Sequence, residues 1–383
     1  MPLKVAKRGT VPPFIVMDVM NAAAEAEAAG QHVMHMEVGQ PSTAAPEAAL
    51  AAARAALERD RIGYTVAFGI PELRRRLSRH YADYYGVDLP AERIAVTTGS
   101  SGGFLLAFLS AFAAGDRVAL ASPGYPAYRN ILRALDIEPV NLPTGPDTNY
   151  QPTVEILERL AEPLDGLIIA SPSNPTGTMI PPDQLDALCR HCAERGIRLI
   201  SDEIYHGITF ERRAETVLAH TDQAVVINSF SKYFSMTGWR LGWMVLPQDL
   251  TRAVECLAQN FFISPPTLSQ YAGVAVLDCQ DELDANVARY AANRELLLRE
   301  LPTAGFDRLS HADGAFYIYA DVGHMTNDSN DFCKRMLAEA GVATTPGIDF
   351  DPERGHRFIR FSFAGSTDEM AEAVRRLKDW RRA

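Results

Sequence analysis

Hydrophobic positions fall into short continuous runs between about residue 50 and residue 280. "RIAVTTG", "RVALASP", "GLIIASP", "IRLISDE", "AVVINSF" and "LGWMVLP" are rich in Val and Ile, and each ends in small or polar residues. Between several of them lie stretches with apolar residues at helical spacing, such as "PELRRRLSRHYADYYG" and "QLDALCRHCAERG". Runs that are apolar throughout predict strands buried on both faces, and helical crossovers between them predict a mostly parallel sheet, an α/β fold. "GFLLAFLSAFAAG", Gly103–Gly115, is too short to span a bilayer and ends in glycine, a common helix stop, so it reads as a buried helix. The alanine-rich "PEAALAAARAALERD" is a helix former rather than a disordered tract. No internal repeat or low-complexity linker interrupts the pattern.

Ligands of such sheets bind beyond the carboxyl ends of the strands. Those ends read "TTGSSGG", "SPGYPAY", "SPSNPTG", "SDEIY" and "NSFSK". Any one is ordinary loop composition; five together carry hydroxyls, amides, an acid and an amine to one edge. "TTGSSGG" runs straight into the apolar helix, so the amides of Gly99, Ser100 and Ser101 stand at a helix N-terminus. That is an anion site or, equally, a serine N-cap with glycines for a tight turn. Asp202 closes a buried strand with Tyr205 just behind it. A buried acid needs a partner, and a cationic ring nitrogen serves as well as the arginine of a structural salt bridge. Lys232 is the single amine of "SFSKYFSMTGWRLGW". A lysine near cationic or apolar groups has its pKa lowered, as a Schiff-base nucleophile requires, whereas a lone lysine after a strand is otherwise solvated surface.

Composition narrows the function classes. With 383 residues, 47% of them hydrophobic and 22% charged, the chain buries a large core and is expected to hold more than one domain. The net charge of −11, with no basic stripe or tail, argues against a nucleic-acid partner. The start "MPLKVAKRGTVPPF" has no apolar core of signal-peptide length, and no membrane partner is expected. Five unevenly spaced cysteines make no disulfide framework, which fits a reducing compartment and a cytoplasmic location. Cys189 and Cys192 form a CxxC, but on a helical pattern and with no second Cys or His pair at zinc spacing. They read as helix residues near a core, and no metal is expected.

Taken together, "SFSKYFSMTGWRLGW", "SPSNPTG" and "SDEIY", in that family's order and with "VGQPS" and "RFIRFSFAGS" near the two ends, resemble the class I/II aminotransferases of the fold-type I pyridoxal phosphate enzymes. The resemblance covers nearly the whole chain. It implies pyridoxal 5′-phosphate as cofactor, carried as an aldimine on Lys232, which then shuttles a proton between the substrate's Cα and the cofactor's C4′. Asp202 would keep the pyridine nitrogen protonated, so that the ring acts as an electron sink. Tyr205 and Asn174 would bond the ring's phenolate oxygen, and Tyr125 would stack on the ring. Gly99, Ser100, Ser101, Ser229, Ser231 and Arg240 would hold the phosphate, Arg240 lying eight residues after the lysine. The bland alternative for Arg240 is a surface ion pair. Tyr64 resembles a tyrosine that reaches the phosphate of the neighbouring subunit, which implies a homodimer with shared sites. Arg360 would grip the substrate's α-carboxylate, with Arg357 out of register. Gly39 matches a glycine beside the same carboxylate, though it is equally a turn before Pro41.

The same resemblance implies a large cofactor domain at 46–283, with a mostly parallel seven-stranded sheet flanked by helices. The N-terminal segment 1–45 would join residues 284–383 in a smaller α+β domain, where "GAFYIYADV" and "TTPGIDF" have strand and turn chemistry. The implied reaction is ping-pong transfer of the α-amino group of an L-amino acid to a 2-oxo acid. Several aspartate- or prephenate-using relatives carry a lysine where Ser101 stands, so a neutral or apolar donor is expected, with 2-oxoglutarate or pyruvate as acceptor. Phe14, Ile15, Phe262 and Tyr64 are candidates to line the donor pocket or to be plain core. Lysine, aspartate and arginine do not separate this reaction from β-elimination by a carbon–sulfur lyase of the same fold. A non-catalytic cofactor-binding sensor would add a helix-turn-helix, for which the few dozen residues ahead of "VGQPS" leave no room.

Overall fold

The apolar runs become the strands of one sheet. The computed structural model describes residues 3–382. Its strands are β1 Met34–His35, β2 Ile94–Thr97, β3 Arg117–Ser122, β4 Glu138–Pro143, β5 Gly166–Ala170, β6 Arg198–Asp202, β7 Val225–Ser229, β8 Gly242–Val245, β9 Tyr317–Asp321, β10 Val342–Ala343, β11 Thr345–Pro346 and β12 Phe358–Ser362. Seven of these form the central sheet in the order β2-β8-β7-β6-β5-β3-β4. All its pairings are parallel except those of β8, which runs antiparallel to both β2 and β7.

Two features depart from the apolar-run reading, each for a physical reason. The strand β4, "EPVNLP", lies at the sheet edge, where its two prolines cost few ladder hydrogen bonds and polar residues meet water. It therefore lacks the apolar signature of its neighbours. The reversal of β8 follows from the segment between Ser229 and Gly242, which contains only the short turn Thr237–Trp239. A parallel return needs a crossover, usually a helix.

Successive residues of the inner strands point to opposite faces. Val96, Leu167, Ile169, Leu199, Val226 and Trp243 join one hydrophobic cluster; Ala95, Val118, Leu120, Ile168, Ile200, Val225 and Ile227 join the other. Both faces are covered, so the inner strands carry apolar residues on both sides through their middles.

The helices Pro71–Tyr85 and Pro182–Arg195 begin on proline and stop at Gly86 and Gly196, whose φ of +70° and +68° suits glycine. The buried helix runs from Gly99 to Ala111, stopping before Gly115, which sits instead in the turn ahead of β3. Cys189 and Cys192 are buried in the Pro182–Arg195 helix, and burial pushes both thiols up to about 12. No helix among the described residues is long and apolar enough to cross a membrane.

Beyond the central sheet, β11, β12 and β9 form an antiparallel three-stranded sheet. The N-terminal segment reaches the C-terminal part through β1, which pairs in parallel with β10.

Candidate active site

A cavity of about 290 Å³ opens at the carboxyl ends of the central strands. Gly39, Ser100, Ser101, Tyr125, Asn174, Asp202, Tyr205, Ser231, Lys232, Arg240 and Arg360 all line it. These residues span the chain from Gly39 to Arg360, and the sheet brings them together.

Lys232 projects from the turn after β7. That turn is pinned from within: the Ser231 amide donates to Ser229 Oγ at 3.1 Å, and Thr237 Oγ1 donates to the Ser231 carbonyl at 3.0 Å. Phe230 anchors it from below, its ring 5.0 Å from that of Trp243. The part-buried amine donates to the Gly39 carbonyl at 2.7 Å. Burial, aided by the charges of Arg360 and Arg240 and opposed by Asp202, pulls the amine down to about 8.

Asp202 is the buried last residue of β6. Burial pushes its carboxyl up to about 6, although Tyr128 donates to it through its hydroxyl and Ile204 through its amide at 3.0 Å. Tyr205 is also buried and shares a hydrogen bond of 2.7 Å with the Tyr317 hydroxyl.

At one end of the cavity the helix Gly99–Ala111 presents its N-terminus. Thr98, at the N-cap, makes no capping side-chain bond, so a serine N-cap is not what the motif provides. Gly99 has φ +72°, and a Cβ there would lie 2.6 Å from Arg240 Nη2. Glycine is required both by the turn and by the guanidinium packed on it. Arg240 is itself left-handed at φ +50°, and its Nη1 donates to the Thr237 carbonyl at 3.0 Å. A non-glycine residue held there stores strain of about 1 kcal/mol, a cost that clusters at functional sites. Its partner is a carbonyl of its own turn, and no surface ion pair of Arg240 appears among the described residues.

Opposite stands Arg360, buried on β12. Its Nη1 donates to Asn174 Oδ1 at 2.8 Å; its Nη2 donates to Thr345 Oγ1 at 3.2 Å and to the Glu37 carbonyl. The guanidinium carbon lies 4.3 Å from the Tyr317 ring centre and 4.8 Å from that of Phe350. Among the described residues its buried Nε has no partner. Arg357 points elsewhere and pairs with Asp321 at 3.0 Å.

This chemistry matches a family. The Aminotransferase class I and II description fits residues 31–377. The chain belongs to the class I and II aminotransferases. It is similar to the valine–pyruvate aminotransferase of Mycobacterium tuberculosis, 52% identical over 98% of both chains. A transaminase of Methanocaldococcus jannaschii named for (5-formylfuran-3-yl)methyl phosphate is 33% identical over 96% of each. The crystal structure of an aminotransferase from Mycobacterium tuberculosis superposes with a TM-score of 0.97, covering 99% of either chain at 52% identity. Transamination, rather than the β-elimination weighed on the sequence, is the reaction in these relatives' names, and this aminotransferase is an enzyme that transfers amino groups.

Three expected site residues of this aminotransferase do not line the cavity. Gly99 and Ser229 stand behind it, one packed on Arg240 and one bonded within the lysine turn. Tyr64 is 83% exposed and lines a separate groove with Arg61, Ile62 and Ser264. Of the candidate pocket residues, Phe14 lines the cavity; Ile15 faces a smaller cavity beside Cys333, and Phe262 packs against the core cluster around Phe104 and Phe108.

Sequence reasoning missed Tyr128, Tyr317 and the wall made by Val16, Met17 and Met20. The three wall residues sit on the helix Ile15–Ala28, whose N-cap Phe14 makes no side-chain cap. Asp349 performs that job from the far end of the chain, accepting from the amides of Ile15 at 3.3 Å and Val16 at 3.2 Å. Tyr128 had a local signal, since it sits one helical turn after Tyr125 in "SPGYPAY".

Proposed function

We propose that this aminotransferase takes the amino group of an apolar L-amino acid, with pyruvate or a similar monocarboxylic 2-oxo acid as acceptor, using pyridoxal 5′-phosphate held at Lys232. The observation that carries the reading is the Lys232 amine, pulled down to about 8 between a helix N-terminus with Arg240 and a second, buried arginine. The cavity residues fit the cofactor. Around Ser100, Ser101, Ser231 and Arg240 stand hydroxyls, helix amides and a guanidinium, a donor set suited to a phosphate dianion. Asp202 suits a protonated ring nitrogen, Tyr205 and Asn174 a phenolate oxygen, and Tyr125 a ring face.

When bound, pyridoxal phosphate supplies an electron sink for the pair left on the substrate's Cα. Lys232 would hold the cofactor through its amine and, once free, would serve as the base and acid at the substrate's Cα; a pKa near the working pH suits one amine to both taking and giving a proton. Asp202 holds the ring nitrogen's proton by its charge. Arg360 grips the α-carboxylate, its plane fixed by Tyr317 and Phe350 and its edge by Asn174 and Thr345. Phe14, Val16, Met17 and Met20 exclude water over the donor's side chain.

Three observations support an apolar donor. The wall is apolar, Ser101 is neutral, and the cationic lining residues are Lys232, Arg240 and Arg360, each already assigned, which leaves none for a second carboxylate. The related enzyme named for valine and pyruvate agrees. In a half-reaction scan of the cofactor-loaded protein with single amino acids, valine and its apolar neighbours should convert the visible band and release an oxo acid without ammonia. Aspartate should react at least about 100-fold more slowly, since a second carboxylate would be buried unpaired. Equal rates for aspartate and valine would overturn the donor class.

Arg360→Ala should raise the amino acid's KM roughly 100-fold, a far larger effect than on cofactor affinity above the pH at which Lys232 is neutral, because it removes one half of a buried charge pair. An unchanged KM would show that another group binds the carboxylate.

A homodimer is part of the proposal, supported by exposed Ile62, Tyr64, Val66, Phe261 and Ile263, which leave apolar surface beside Tyr64 for a second copy to cover. The division into residues 46–283 against 1–45 with 284–383 is supported by the pairing of β1 with β10. Five free cysteines, none paired, support a cytoplasmic site of action.

A further inference from the structure

Tyr317 touches three of the groups assigned above at once. Its hydroxyl lies 2.7 Å from that of Tyr205. Its ring lies under the Arg360 guanidinium at 4.3 Å. Its hydroxyl also packs on Gly39, where any Cβ would overlap it, and the Gly39 carbonyl in turn receives the Lys232 amine at 2.7 Å. Tyr317 is buried on β9, next to the β12 strand that carries Arg360.

We propose that Tyr317 is a positioning residue with two separable parts: a hydroxyl that donates to Tyr205 and so aims the Tyr205 proton at the cofactor's phenolate oxygen, and a ring that fixes the plane of Arg360. The inference rests on the pyridoxal phosphate reading above. Each phenol has one proton. Burial holds both phenols above their ordinary range, so both stay neutral at working pH. A phenolate oxygen only accepts, so it would accept a hydrogen bond from the neutral Tyr205 hydroxyl. The 2.7 Å bond between the hydroxyls then needs its proton from Tyr317. A hydroxyl that accepts one bond donates the next more strongly, so Tyr317 reinforces the Tyr205 donation. The ring, by contrast, acts on the carboxylate end through its stack with Arg360.

The test uses the cofactor-loaded enzyme and reads the pH midpoint of its visible band together with the amino acid's KM. A donor on the phenolate oxygen stabilises the form that carries negative charge there, so weakening that donor moves the midpoint upward. Tyr317→Phe keeps the ring and should raise the midpoint by about half a pH unit, less than Tyr205→Phe does, with KM within about twofold of native. Tyr317→Leu loses the ring too and should in addition raise KM by roughly tenfold. In the Tyr205→Phe background, Tyr317→Phe should shift the midpoint no further, because its effect passes through the Tyr205 hydroxyl.

An unshifted midpoint in Tyr317→Phe, or an equal shift with and without the Tyr205 hydroxyl, overturns the aiming role. A KM that Tyr317→Leu leaves unchanged overturns the role of the ring. Thermal unfolding of each variant separates these outcomes from loss of fold, and Tyr317→Phe, which retains the ring's packing, keeps the question answerable if Tyr317→Leu unfolds. A native protein that forms no visible band with pyridoxal phosphate would instead overturn the cofactor reading itself.

Discussion

Lys232→Ala protein should fold, form no borohydride-reducible covalent adduct with pyridoxal phosphate at that position, and lose transamination by roughly 10⁴-fold or more, since one group would serve as both nucleophile and proton carrier. The loss should be far larger than at Ser100 or Ser101, which line the cavity beside Arg240 and would share a phosphate with it and with helix amides. Added small primary amines should restore part of the rate, because they supply the missing base. Substantial transamination without an added amine would remove Lys232 from the mechanism.

The pH dependence gives a second handle on the same residue. At pH 7.5 an amine with a pKa of about 8 is neutral in roughly a quarter of molecules, against about one in a thousand for an ordinary lysine. Cofactor uptake by the native protein should therefore rise with pH and level off just above 8. The pKa is lowered by burial first and by Arg360 and Arg240 next, so Arg360→Ala should move that plateau upward. A plateau that stays near 10 in the native protein would mean that the amine is not held as the structure places it.

What the sequence made legible follows from which rules act locally. The parallel sheet was readable because strands covered on both faces form continuous apolar runs, as in "GLIIA" and the Val225, Val226 and Ile227 run of "VVINS". The site was readable because such sheets gather chemistry at their carboxyl ends, where Asn174, Asp202 and Lys232 lie. What stayed hidden depends on partners far away in the chain. Tyr317 looks like any aromatic on a buried strand until β9 is placed beside β12 and its hydroxyl meets Tyr205. The Ile15–Ala28 helix lines the cavity with its first amides held by Asp349, more than 300 residues on. The edge strand β4 was missed because its surroundings ask for the opposite of an apolar run.

Asp202→Asn should fold normally, still bind pyridoxal phosphate, and turn over roughly 10²- to 10³-fold more slowly, because an amide cannot hold a proton on the ring nitrogen by charge. The substitution is isosteric: the amide oxygen still accepts from the Ile204 amide, while the amide nitrogen faces Tyr128, whose hydroxyl must turn from donor to acceptor, and packing is spared. Protein stripped of cofactor reports on the carboxyl alone. Its folded pKa of about 6 lies above the ordinary 3.8, with burial as the largest cause. Between those two values the folded chain holds more protons than the unfolded one, so stability conferred by this group falls as pH rises through that window. Asp202→Asn should flatten that slope in denaturant unfolding and be the more stable protein at pH 7. Pyridoxal phosphate methylated on its ring nitrogen carries a fixed positive charge, and it should restore the variant's rate if keeping the proton is all that Asp202 does. A variant that runs at the native rate with the ordinary cofactor would show that the ring needs no charge from this chain; one that the methylated cofactor fails to rescue would show that Asp202 holds the ring's position as well as its proton.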